Sequence, residues 1–256
     1  MEDFVILARS LISIGLLLLL VMLRLDAEKF GTAEYYEATR DGERPKLRRR
    51  IAWYGMGFAL VIGLLYVHPT PQQDLYLGSG DRLEAVLGGI AYGLLGVLVA
   101  VAFATYRYHR IRFPDLSSYP GALLNSTATA FIDEATFRGA LLGLMLVAGV
   151  NPTLANFTQA ILYTLTTRLG APGRDRYLLL LTLGIGLLGG WLTVATGGIA
   201  AAFLGHSIAR FAFFLCTGHT GQTKPRAREP EEIEKRRRPP EGWRVIGSRE
   251  SSSRER

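Results

Sequence analysis

Residues 177–202 read YLLLLTLGIGLLGGWLTVATGGIAAA, and no charged side chain interrupts them. A bilayer core is crossed by about 20 predominantly apolar residues in a helix, and a run of 18 or more is a candidate span. The pattern recurs along the chain. Leu11–Leu23 is unbroken apart from Ser13 and Gly15, and Ile51–Val67 and Ala85–Tyr106 carry no charge. A water-soluble domain has no way to bury so many helices that are apolar all round. The hydrophobic share of 49% is ordinary for a globular protein; its segregation into long runs is not. A soluble enzyme, a secreted disulfide scaffold and a disordered chain are thereby excluded. The single cysteine, Cys216, also excludes an internal disulfide framework and a cysteine-based zinc cluster.

The expected fold class is all-α, a polytopic transmembrane bundle of about seven spans (six to eight). The spans are Phe4–Leu25, Ile51–Val67, Ala85–Tyr106, Gly121–Val150, Pro152–Leu169, Tyr177–Ala195 and Ile199–Cys216. The fourth is too long for a straight crossing, so part of it should be tilted, broken or interfacial. Asn151-Pro152 has the form of a helix start. Residues 1–216 form the transmembrane unit. Residues 217–256, with eleven Lys and Arg and four prolines, read as a basic, partly disordered cytoplasmic tail.

Basic residues set the expected orientation. Segment 26–50 holds seven Lys and Arg, 107–112 holds three and 168–176 holds three. The alternate connections hold only Arg9 and Arg82. Every second connection is therefore basic. The expected localisation is a multi-pass protein of the cell membrane, N-terminus outside and C-terminus cytoplasmic. The net charge of +7 lies beside spans and in the tail, so the partner it implies is the lipid bilayer and not nucleic acid. The pairs Gly89/Gly93, Gly139/Gly143 and Gly186/Gly190 suit close helix crossings.

Charges inside spans cost about 3 kcal/mol each on insertion scales and mark candidate functional sites. Span four carries Asp133, Glu134 and Arg138; span seven carries His206 and Arg210. Glu134 and Arg138 are i,i+4 and share a helix face, so they can pair. Asp133 lies about 100° around the helix, where it would be left free as a general base on water. His206 and Arg210 also share a face and can donate hydrogen bonds to an oxyanion.

The string Asp133-Glu134-x-x-x-Arg138 resembles the Glu-Glu-x-x-x-Arg motif of the CAAX protease and bacteriocin-processing family of intramembrane endopeptidases. Thr196-Gly-Gly-Ile199 followed by Gly205-His206-x-x-x-Arg210 resembles that family's last motif, a Thr-Gly turn and then His-x-x-x-Asn. The resemblance covers about residues 115–216. It implies hydrolysis of prenyl-protein or leader-peptide bonds by carboxylate-activated water. By position, Asp133 takes the water-activating role, Glu134 and Arg138 pair, and His206 stabilises the oxyanion.

The motifs are degenerate. The middle Phe-x-x-x-His falls on Tyr163-x-x-x-Thr167, so Thr167 stands where the activating His is expected. A Thr hydroxyl cannot take a water proton as imidazole does. Asp replaces Glu at 133, and Arg replaces Asn at 210. An arginine beside Asp133 would occupy its oxygens. The expected activity is therefore impaired or divergent.

Two alternatives stay open: a catalytically inactive pseudoenzyme that binds membrane peptides or partners, and a small-solute transporter using midplane charges. Catalytic candidates are Asp133, Glu134, Arg138, His206, Arg210 and Thr167. No cofactor is implied, a divalent metal is left open, and a prenylated or leader peptide is the candidate partner. A retinal protein is excluded because the lysines Lys29, Lys46, Lys224 and Lys235 all lie outside the spans. No His-Glu-x-x-His occurs. Gly78-Ser79-Gly80-Asp81 reads as a turn and not as a protease motif.

Overall fold

The computed structural model describes residues 2–30, 47–108, 119–168 and 176–217. Among them every regular element is helical. In chain order these are α1 (Glu2–Leu25), a 3₁₀ turn (Ala27–Phe30), α2 (Leu47–Val67), the single turn α3 (Pro71–Asp74) and α4 (Arg82–Tyr108). Then come α5 (Tyr119–Asp133), a π segment (Glu134–Leu141), α6 (Leu142–Val147), α7 (Pro152–Arg168), α8 (Arg176–Thr196) and α9 (Ala200–Thr217). Four stretches are long and apolar enough to cross a membrane by length and composition: Phe4–Leu25, Arg48–Val67, Arg82–Tyr106 and Leu179–Thr196. Ala200–Cys216 is a shorter apolar helix. The chain is an all-α, multi-pass membrane protein, and a bundle of about seven spans is in keeping with these helices. The basic tail and segments 31–46, 109–118 and 169–175 lie outside the described residues.

The bundle is apolar on its outside and polar at its centre. Phe4, Leu7, Leu11, Leu18 and Met22 of α1 are exposed, as are Leu83, Leu87, Leu94 and Leu98 of α4. These side chains lose nothing among lipid tails, whereas polar groups must find partners inside. Buried polar residues accordingly gather on the inward faces: Asn125, Thr129, Asp133, Glu134, Arg138, Gln159, His206 and Arg210.

Helices α1 and α2 are tied at both ends. The Trp53 indole N–H donates to Leu23 O at 2.9 Å. At the opposite end Arg9 donates to Val67 O at 2.6 Å, with Tyr66 O and His68 O at 3.3 and 3.4 Å. Arg9 thus covers carbonyls that the end of α2 leaves without helical partners. The glycines of α4 admit α9: Gly89 and Gly93 face Leu204 and Ile208. Gly186 of α8 likewise faces Ala160 of α7. These two pairs lie at helix crossings, as the sequence indicates. Gly139 and Gly143 do not. They face the single turn α3 and the connection that follows it: Gly139 meets Leu77 and Leu75, and a Cβ on Gly143 would meet Asp74 O of α3 and stand 2.7 Å from Leu75 Cα.

That connection is fixed to the α8–α9 turn by main-chain bonds. Asp81 N–H donates to Thr196 O at 2.8 Å, and Ile199 N–H to Tyr76 O at 3.1 Å. The Gly-Ser-Gly-Asp string is the turn that the sequence suggests, with Gly80 at φ +64°. The Asp81 side chain accepts the Glu84 N–H at 2.9 Å and so caps α4.

The long fourth span proves to be one helix with a wider turn in its middle. Asp133 and Leu142, on either side of the π segment, keep helical dihedrals (φ −63°, ψ −46° and φ −61°, ψ −47°). The rod stops at Gly149, in the left-handed region at φ +82°. There Val150 N–H reaches back to Met145 O at 3.0 Å, the bond of a Schellman end. The Asn151 side chain then caps α7, accepting Thr153 N–H at 3.0 Å.

Candidate active site

The π segment Glu134–Leu141 spells EATFRGAL and coincides with the charged string. Leu142 N–H reaches Phe137 O, the i→i+5 contact of a π turn. Such turns are rare and occur frequently at functional sites. Here the turn presents Asp133 and Glu134, adjacent in sequence, to different partners.

Asp133 is not left free. Its Oδ1 lies 2.7 Å from Arg24 Nε, and its Oδ2 lies 3.8 Å from Arg210 Nη1. The Asp133 and Arg210 side chains are 0% exposed and that of Arg24 is 3%, so water does not screen these pairs as it would at a surface. A carboxylate within ion-pairing range of two guanidinium groups is not a free base. The expectation of a free general base is therefore corrected, and the reason is tertiary: Arg24 enters from α1. Asn125, Thr129 and Asp133 recur every four residues along one face of α5. Thr129 Oγ1 and Tyr54 OH both donate to Asn125 Oδ1, at 3.3 and 2.6 Å, which fixes α2 against this stripe.

Glu134 turns to a second set of partners. Its Oε1 lies 2.6 Å from His206 Nδ1, and its Oε2 lies 3.4 Å from Arg138 Nε. The expected Glu134–Arg138 pair is present, yet the shorter contact is to His206. The Arg138 guanidinium stacks over the Tyr163 ring, 4.0 Å from its centroid. A desolvated contact of this kind contributes about 2 kcal/mol. The space for Arg138 and Glu134 is left by Gly189 of α8, where a Cβ would stand 3.1 Å from Arg138 Nε and 3.4 Å from Glu134 Oε2.

Tyr163 completes the row. Its hydroxyl lies 3.4 Å from His206 Nε2, and the two rings meet edge to face. Thr167, one turn further along α7, takes no part. Its hydroxyl donates within its own helix, to Tyr163 O at 2.9 Å and Thr164 O at 3.1 Å.

The structure thus brings Asp133, Glu134, Arg138, His206 and Arg210 into one buried cluster and leaves Thr167 at its edge. Sequence reading missed Arg24, the Tyr163 hydroxyl and Gly189. The signal for the first was an arginine inside the Phe4–Leu25 span. Among the described residues no three His, Cys, Asp or Glu side chains are grouped to hold a metal ion.

Residues 115–212 match the family model described as type II CAAX prenyl endopeptidase Rce1-like. The match covers the segment on which the charged motifs lie, and the resemblance to the CAAX protease family holds over it. No curated protein and no solved structure matches the chain.

Proposed function

We propose that this CAAX-protease-like membrane protein binds a membrane-tethered peptide, prenylated or bearing a leader, and that hydrolysis by its family's route is impaired. One observation carries this reading: Asp133 sits between Arg24 and Arg210 with almost no exposure. Water activation by the family's route needs a carboxylate that can accept a proton and an imidazole that can share it. Asp133 is committed to two cations. Thr167 supplies no imidazole, and its hydroxyl is spent on its own helix. The buried pairs serve instead to fasten α1, the π segment and α9 to one another. The alternation of basic segments supports an N-terminus outside and a C-terminus in the cytoplasm.

The reading is tested on purified protein in proteoliposomes with a farnesylated CAAX peptide carrying a photo-crosslinker. Crosslinking that unlabelled prenyl peptide competes away, with slow or undetectable release of the C-terminal tripeptide, is the expected outcome. Absence of competable crosslinking sinks the binding half, and rapid release sinks the impairment.

A further inference from the structure

Position 167 is where the family places an imidazole, and position 163 is where it places a phenylalanine. Both are changed here, and the second change adds a hydroxyl one helical turn from the place where the first loses a base. That hydroxyl lies 3.4 Å from His206 Nε2, while the other ring nitrogen lies 2.6 Å from Glu134 Oε1. All three side chains are buried.

We propose that the proton-accepting centre of this site is His206, held by Glu134 and positioned by the Tyr163 hydroxyl, in place of the imidazole missing at position 167. In a neutral imidazole one nitrogen carries the proton and the other a lone pair. A carboxylate can only accept, so Glu134 fixes the proton on Nδ1. The lone pair then belongs to Nε2, the nitrogen that faces Tyr163, and Tyr163 donates to it. This is the opposite polarity from an oxyanion donor, which needs an N–H pointed at the substrate. A carboxylate behind an imidazole in front of a hydroxyl is an arrangement suited to proton transfer.

The consequence for hydrolysis rests on the family reading above. Nε2 has a single lone pair, so the Tyr163 hydroxyl passes its proton to Nε2 as it takes one from water, and the hydroxide so formed adds to the peptide carbonyl carbon. The C–N bond of the tetrahedral adduct then breaks, and the amine departs with a proton from the Tyr163 hydroxyl, which recovers one from Nε2. Peptide and water become carboxylic acid and amine, and His206 returns to its starting tautomer. His206 and Tyr163 are the catalytic residues of this scheme, and Glu134 is a positioning residue. Arg138 holds the Tyr163 ring from its face and Phe137 packs edge-on to it at 5.3 Å, so the hydroxyl is placed independently of its bond to His206.

The test is ¹⁵N NMR of the full chain labelled at histidine, in detergent micelles. The chain has four histidines, and the His206→Asn spectrum assigns the resonance. The expected wild-type signal is a protonated Nδ1 and a pyridine-type Nε2. Tyr163→Phe keeps the ring and removes the hydroxyl, and should move Nε2 downfield toward an unbonded lone pair. Glu134→Gln should release the tautomer, with loss of signal at protonated Nδ1. An Nε2–H tautomer or an imidazolium in the wild-type spectrum overturns the proposal, and the wild-type spectrum alone decides this if a variant does not fold. An Nε2 resonance unmoved in folded Tyr163→Phe overturns the role of Tyr163. Failure of competable prenyl-peptide crosslinking defeats the family reading and leaves the spectrum as expected, so the two failures are distinguishable.

Discussion

Arg24 Nε lies 2.7 Å from Asp133 Oδ1, joining the last turn of α1 to the turn at which the fourth span becomes a π-helix. The contact reaches from outside the family-matched segment 115–212 into its charged centre. Removing one partner of a buried pair typically costs about 3–5 kcal/mol, because the other is left unpaired. Arg24→Met is expected to lower the thermal midpoint in detergent. Adding Asp133→Asn to it should cost less than Asp133→Asn costs the wild-type protein, since the contact with Arg24 is already gone and only that with Arg210 remains to be lost. Two losses that simply add would show that the side chains do not interact.

Arg138 is expected to be a structural cation. Arg138→Ala exposes Glu134 to the same penalty of about 3–5 kcal/mol and also removes the stack on Tyr163. Arg138→Lys should recover only part, because an ammonium lacks the planar face and fork of guanidinium. Expression yield and thermal midpoint in detergent check both variants. A fully stable Arg138→Ala protein would show that the pair is not buried as described.

Gly189 is expected to tolerate no side chain without a shift of the pair beside it. A Cβ there meets Arg138 Nε at 3.1 Å and Glu134 Oε2 at 3.4 Å. Overpacking of this kind typically costs about 1–3 kcal/mol. Gly189→Ala should therefore lower the thermal midpoint, whereas Gly184→Ala on the same helix, with nothing within 4 Å of its Cβ, should not. Equal midpoints for the two would contradict the packing given for α8.

Some of this architecture is written in the sequence and some is not. Uncharged runs such as 177–202 announce helices that lipid can surround, and charges inside such runs must meet. That logic alone brings Asp133 and Glu134 to His206 and Arg210. It does not find Arg24, because an arginine at the end of a span is ordinary and only packing turns it inward. Nor does it find the π turn, because no residue pattern distinguishes i→i+5 from i→i+4 bonding within EATFRGAL. Gly139 and Gly143 have the spacing of a crossing between long helices, yet what approaches them is the end of the single turn α3 and the connection after it, Asp74–Leu77. Spacing reveals a smooth face; it does not reveal what lies against it.

Rebuilding the family's site one position at a time is expected to fail. Thr167→His with Arg210→Asn restores an imidazole and an amide, but Arg24 still engages Asp133. Only the triple variant that adds Arg24→Met removes both arginines from the carboxylate. A double variant as active as the triple would show that Arg24 does not restrain Asp133.

On the proposed reading, with Asp133 engaged by two arginines and no imidazole at position 167, water activation by the family's route is impaired. The decisive measurement is the rate at which purified protein in proteoliposomes releases the C-terminal tripeptide from a farnesylated CAAX peptide. Loss of a general base typically costs about 10²–10⁴-fold. Wild-type turnover is therefore expected to lie about 10²-fold or more below that of the folded Arg24→Met/Thr167→His/Arg210→Asn variant. Robust wild-type turnover that Asp133→Asn abolishes would contradict this, and would make Asp133 the working base despite its two arginines.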